Sequence, residues 1–270
     1  GSFFAAAFQG DQARVWNLNT LELVATCNDA RFVVEFSQNS GELLLADRSH
    51  KPCWWSLRTG VKSSIPAYPG SPITTAALSP TRKLAALGHS NGELDLLEID
   101  SGRKLATWPA HPDEVLSVTF SPDGTKLLSG SKDRAVTLWN VSDQKKIASN
   151  AEHRGAVCAL AFSPDGRQIA SACGADTIKI WNTSGIPDGA LTPSMSYHKA
   201  EVRTLAFSAD GKTLASGSDD NTARLWNVAT HQEIASFPMG SPVRMVRFSP
   251  DGKTLAIITR QGKLQLFSIP

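Results

Sequence analysis

Short runs in which apolar and polar residues alternate recur along this chain, separated by polar turns rich in Ser, Pro, Asp and Gly. A period of two predicts half-buried β-strands, and turn chemistry at close, regular intervals predicts an antiparallel all-β fold. The fullest example is residues 198–228, HKAEVRTLAFSADGKTLASGSDDNTARLWNV. It holds His198, an apolar run ending at Phe207, an Asp210-Gly211 turn, a small-residue strand through Ser216, then Asp220 and Trp226. Its spacings recur upstream. His198 precedes Trp226 by 28 residues, as His111 precedes Trp139 and His153 precedes Trp181. Ser216, Ser129 and Ser171 each lie ten residues before the matching Trp.

The aromatic positions set the period. Trp16, Trp55, Leu97, Trp139, Trp181, Trp226 and Phe267 are separated by 39, 42, 42, 42, 45 and 41 residues. Gly124, Gly166, Gly211 and Gly252 each fall 15 residues before the matching aromatic. A repeat of this length marks a solenoid or propeller. The seven units resemble WD repeats, with Trp-Asn at Trp139-Asn140, Trp181-Asn182 and Trp226-Asn227 in place of Trp-Asp. The resemblance is fullest over residues 111–230, and the SPDGKTLASGS style of repeat also resembles the WD arrays of large bacterial multidomain proteins. It implies a single seven-bladed β-propeller of four-stranded antiparallel blades over 1–270, with units at about 1–29, 30–70, 71–110, 111–152, 153–197, 198–240 and 241–270.

Strand counting sharpens this expectation. The first unit offers strands near 3–8, 13–18 and 22–27, and the last near 243–248, 254–259 and 263–268. The five between carry the pattern of four each, so the set is two strands short of seven full blades. The first and last blades are therefore expected to be incomplete. A segment of roughly 20 residues upstream, like 233–252, would supply both missing strands. Without it, open sheet edges favour self-association.

Composition adds limits rather than direction. A net charge of +2 with 19% charged residues gives no bias toward nucleic acid or anionic membrane. No apolar run reaches the length of a spanning helix. Cys27, Cys53, Cys158 and Cys173 lack metal-type spacing and read as buried free thiols, which fit a reducing, cytoplasmic setting.

His, Ser and Asp at fixed spacing are the ingredients of a nucleophilic triad. Here they recur in successive units, whereas an enzyme needs one site. The resemblance implies instead a structural hydrogen-bond network: His111, Ser129, Asp133 and Trp139; His153, Ser171 and Trp181; His198, Ser216, Asp220 and Trp226. Ala175 stands at the Asp position of the fifth unit with Asp176 one place later, so that network is expected to be the weakest. No histidine pair has ligand spacing, and there is no phosphate-binding glycine loop, so neither metal nor cofactor is expected.

What remains is surface. The architecture gathers loops around the channel on one face, with charges of both signs and no basic stripe interleaved with aromatics, so no nucleic-acid partner is expected. Binding energy concentrates in Trp, Tyr and Arg. The candidates are Trp54, Arg134, Arg154, Arg203, Arg244, Arg247 and Arg260. The expected activity is non-catalytic binding of a protein or peptide segment on the loop-rich face, as a scaffold module. The alternatives are a hydrolase or lyase in the channel, hinted at by Glu35, Arg203, Arg244 and Arg247, and a purely architectural spacer.

Overall fold

The computed structural model describes residues 3–269 except 9–11, 18–19, 21, 31, 37–40, 48, 50, 65–70, 82, 100, 175–176, 185–194 and 250. Among these the regular structure is entirely β, in seven sheets that follow one another along the chain. Blade one is β1 (Phe3–Phe8), β2 (Gln12–Asn17) and β3 (Leu23–Asn28), and blade two is β4 (Phe32–Phe36), β5 (Glu42–Ala46), β6 (Pro52–Ser56) and β7 (Lys62–Ser64). Blade three is β8 (Ile73–Leu78), β9 (Leu84–His89), β10 (Glu93–Glu98) and β11 (Lys104–Pro109). Blade four is β12 (Val115–Phe120), β13 (Lys126–Ser131), β14 (Val136–Asn140) and β15 (Lys146–Asn150). Blade five is β16 (Val157–Phe162), β17 (Gln168–Cys173) and β18 (Ile178–Asn182). Blade six is β19 (Val202–Phe207), β20 (Thr213–Ser218), β21 (Thr222–Asn227) and β22 (Glu233–Pro238). Blade seven is β23 (Val243–Phe248), β24 (Thr254–Thr259) and β25 (Leu264–Ser268). Each sheet is an antiparallel meander, and the whole is a seven-bladed β-propeller.

The first strands β4, β8, β12, β16, β19 and β23 pack consecutively against one another and form the inner wall. Among the described residues blade one has no strand at this position: β1 pairs with β2 at Trp16 as β13 pairs with β14 at Trp139, so β1 is a second strand. Among the described residues blade seven has three strands. These are the two incomplete blades expected from the strand count. The fourth strand expected of blade five falls in its long tail, of which residues 185–194 lie outside the described residues; Met195 pairs with Ile178 in an isolated bridge.

The tight turn between first and second strands follows from its residues. In blade six Ser208 Oγ donates to Asp210 Oδ1 at 2.6 Å, and that oxygen accepts the Lys212 N–H at 3.0 Å. Gly211 takes φ +70°, a left-handed conformation that glycine adopts without a Cβ clash. The same Ser-to-Asp bond closes the turns at Asp123, Asp165 and Asp251; Pro250 lies outside the described residues.

Each blade buries its sides against its neighbours. Trp139 packs in one cluster with Ala86 and Leu96 of blade three, Trp181 with Leu128 and Leu138 of blade four, and Trp226 with Ala170 and Ile180 of blade five. Trp16 of blade one sits in the same way on Ala256 and Ile258 of blade seven, so the apolar interface is continuous across the incomplete blades. Phe120, Phe162, Phe207 and Phe248 join these interfaces. Blades approach closely enough to require glycine: a Cβ on Gly217 would fall 2.3 Å from Val243 Cγ1 of the next inner strand.

Candidate binding face at the channel mouth

The repeated His, Ser, Asp and Trp residues converge inside each blade. In blade six Trp226 Nε1 donates to Ser216 Oγ at 2.8 Å, and His198 Nε2 lies 2.7 Å from the same oxygen. His198 Nδ1 is 2.8 Å from Asp220 Oδ2, which also accepts the Lys199 N–H at 3.0 Å. One tautomer satisfies every group: Nδ1–H donates to the carboxylate, Nε2 accepts the Ser hydroxyl proton, and the hydroxyl accepts from the indole. Burial pushes the His198 imidazole down, against the pull of Asp220. Burial also opposes ionisation of Asp220, but hydrogen bonds from Thr222, the Lys199 N–H and His198 outweigh it and hold the carboxyl at about 2.

Blade four repeats the arrangement. His111 lies 2.9 Å from Asp133 and 2.7 Å from Ser129, and Trp139 donates to Ser129 at 2.8 Å. In blade five His153 and Trp181 both meet Ser171 at 2.7 Å, but buried His153 Nδ1 has no partner among the described residues. Ala175 and Asp176 lie outside those residues. Ser129, Ser171 and Ser216 are all 0% exposed, with their oxygens committed to indole and imidazole, an arrangement that offers no approach to a nucleophile. A cleft of about 390 Å³ beside blade four reaches His111, Asp133 and Trp139 but is not lined by Ser129.

Blade three carries a different buried network, which the repeat spacing did not flag. Asp95, 2% exposed, lies 2.9 Å from His89 Nε2 and 3.0 Å from Lys104 Nζ, and accepts from Thr107 Oγ1. Burial pushes the His89 imidazole down. The available signal was a charged residue in the apolar run ELDLLE.

The inner strands of blades three to seven each slip register after their first residue, leaving one unpaired position: Thr74, Leu116, Cys158, Arg203 and Arg244. This is a β-bulge, which re-aims a side chain. Backbone hydrogen bonds from Lys132, Gly174, Asp219 and Arg260 N–H to the residue before each inner strand bring the second-to-third-strand loops to the same end. That end is the channel mouth. Unlike the network residues, these five differ in chemistry from blade to blade and are all half-buried.

On blades five to seven the mouth is charged. Arg203 Nε and Nη2 reach Asp219 Oδ2 at 2.9 and 2.7 Å, and Nη2 reaches Glu201 Oε2 at 2.5 Å. The Cys158 thiol donates to Glu201 Oε1 at 2.7 Å, and burial followed by that carboxylate pushes it up to about 12, far from thiolate reactivity. Arg244 lies within electrostatic reach of Asp219, Arg203, Arg260 and Glu201, yet it donates no hydrogen bond among the described residues.

The other candidates scatter. Trp54 is half-buried against the cluster of Leu44, Ile73 and Leu87 between blades two and three, so it packs an interface. Arg134, with φ +75°, and Arg154 are exposed on loops of blades four and five. Arg247 is exposed and folds back to donate to the Val246 carbonyl at 3.2 Å. The Glu35 side chain is not among those described. Among the described residues no group of His, Cys, Asp or Glu is arranged to hold a metal ion, and no helix is long and apolar enough to cross a membrane.

Residues 102–140, 144–182 and 189–227 match the family described as WD domain, G-beta repeat. The chain is similar to a WD repeat-containing protein 91 homolog of Dictyostelium discoideum, 35% identical over 29% of this chain and 10% of that protein. It is similar to eukaryotic translation initiation factor 3 subunit I of Pyricularia oryzae, 32% identical over 37% of this chain and 29% of that protein. It is also similar to apoptotic protease-activating factor 1 of Mus musculus, 25% identical over 50% of this chain and 11% of that protein. The chain thus spans less than a third of the length of these relatives. All three are eukaryotic and give no support to the expected likeness to bacterial arrays.

Proposed function

We propose that this propeller is a non-catalytic module that binds a protein or peptide segment at the channel mouth. The observation that carries the reading is the contrast between repeating and non-repeating polar residues. His, Ser, Asp and Trp recur and are spent inside the blades, each bond contributing a net ~0.5–1.5 kcal/mol to the scaffold. The bulge positions do not recur, stay half-buried and gather charge on one side of one opening. A scaffold has no use for such variety at that place; a ligand does. A hydrolase reading is disfavoured because each Ser oxygen is buried and doubly engaged.

The test is selection of a random dodecapeptide library on the immobilised chain, followed by hydrogen exchange with an enriched peptide. Protection centred on 199–203, 219–221, 242–244 and 258–262 is expected. Protection confined to outer strands such as β15 and β22, or failure of any peptide to enrich, would overturn the reading.

A further inference from the structure

The charged half of the mouth has an internal balance that specifies its ligand further. Arg203 is ion-paired: its Nε and Nη2 share Asp219 Oδ2, and Nη2 also meets Glu201. Glu201 spends its other oxygen on the Cys158 thiol. Asp219 Oδ1 is buried without a hydrogen-bond partner among the described residues. Arg244 stands at the equivalent bulge of the next blade, held near Arg203 and Arg260 with its guanidinium unspent. Arg203 is ion-paired and Arg260 is not without a partner, whereas Arg244 makes no hydrogen bond or ion pair among the described residues.

Resting on the binding reading above, we propose that Arg244 is the receptor for a single carboxylate, so that the module recognises an acidic peptide segment. A guanidinium presents a planar fork of donors that matches a carboxylate with two parallel hydrogen bonds. Half-burial matters here, because partial desolvation strengthens a charge-assisted bond relative to one made in open water. A single unbonded guanidinium suits a single carboxylate. A polyanion such as a nucleic-acid backbone would bring further charges against Glu201 and Asp219, which flank the same opening. At the bulge positions the other half carries no charge: Thr74 spends its hydroxyl on the Gly88 and Val115 carbonyls, and Leu116 presents an apolar side chain. An extended segment crossing the channel would thus meet the Arg244 bulge on one side and the uncharged Thr74 and Leu116 bulges on the other.

The test compares the unmodified chain with Arg244→Gln, Arg244→Lys and Arg167→Gln, the last on the exposed β16–β17 turn at the far end of blade five, using peptides enriched from the random dodecapeptide library. Acidic residues should be over-represented in the enriched set. Affinity should fall about tenfold or more in Arg244→Gln, fall less in Arg244→Lys, which keeps the charge but loses the fork, and hold in Arg167→Gln. Thermal unfolding of each variant separates lost contact from lost fold. Enrichment of peptides without acidic residues, or acidic peptides indifferent to both Arg244 substitutions, would overturn the carboxylate assignment while leaving peptide binding intact. So would tighter binding of single-stranded oligodeoxynucleotide than of any acidic peptide. Failure of any peptide to enrich would overturn both readings together.

Discussion

Blades five and six are neighbours built on one spacing, and they differ in how completely their histidines are held. In blade six His198 is bonded at both nitrogens, to Ser216 and Asp220. In blade five His153 meets Ser171 alone, and its Nδ1 is buried without a partner among the described residues. The indole-to-serine bond survives unchanged in both. The Trp–Ser link is therefore the part of the network that the blade interface needs. The aspartate adds a second tie between the loop before the inner strand and the loop after the second strand.

The comparison can be broken in order of expected effect. Trp226 is fully buried between blades, so Trp226→Ala should cost about 3–5 kcal/mol in urea unfolding, from lost burial and the cavity left. Ser216→Ala keeps the volume nearly unchanged but strands the indole N–H and the imidazole together. Its expected cost is about 2–3 kcal/mol. His198→Leu should be more destabilising than His153→Leu by about 1–2 kcal/mol, because only the former abandons a buried carboxylate. Equal losses would mean that Asp220 contributes nothing and that the two networks are equivalent.

The smallest effect is one of pH. Burial lowers the folded-state affinity of His198 and His111 for protons, so the unfolded chain binds more protons once pH falls below the ordinary histidine value of about 6.5. Stability contributed by these neutral rings is complete above that value and declines as pH drops through it toward the depressed folded pKa. The urea midpoint should therefore fall between about pH 7 and 5, and fall less steeply in His198→Leu. Asp220 acts lower: its folded pKa of about 2 gives stability that is present above the unfolded value near 4 and lost as pH approaches 2. A midpoint that rises on acidification to pH 5 would contradict the neutral assignment.

Much of this was legible in the sequence because repetition amplifies weak local signals. A single Asp-Gly turn is ambiguous, but Gly124, Gly166, Gly211 and Gly252 at one distance from an aromatic fix four units, and the series from Trp16 to Phe267 extends them to seven. The missing strands of blades one and seven followed from the same spacing, since Trp16 places β1 as a second strand. Where the chain departs from its own pattern the signal disappears. The His89–Asp95–Lys104 network occupies blade three, where Leu97 replaces the Trp, and only burial reveals that Asp95 is internal. The bulge positions were equally hidden. Alternation tells which face a residue takes, but a register slip moves Arg203 and Arg244 off that alternation and brings them together across a blade boundary. Arginines of one type on a list thus sort into unlike roles: Arg203 ion-paired, Arg247 folded on its own backbone, Arg244 unspent.

The most direct measurement of the division between scaffold and recognition is to record thermal stability and peptide affinity side by side for Ser216→Ala and Arg244→Gln. The expected result is a crossed pattern. Ser216→Ala lowers the melting temperature by several degrees while the still-folded chain keeps its affinity, and Arg244→Gln keeps the melting temperature while affinity falls about tenfold. Loss of affinity in folded Ser216→Ala, or an equal loss of stability in Arg244→Gln, would contradict it.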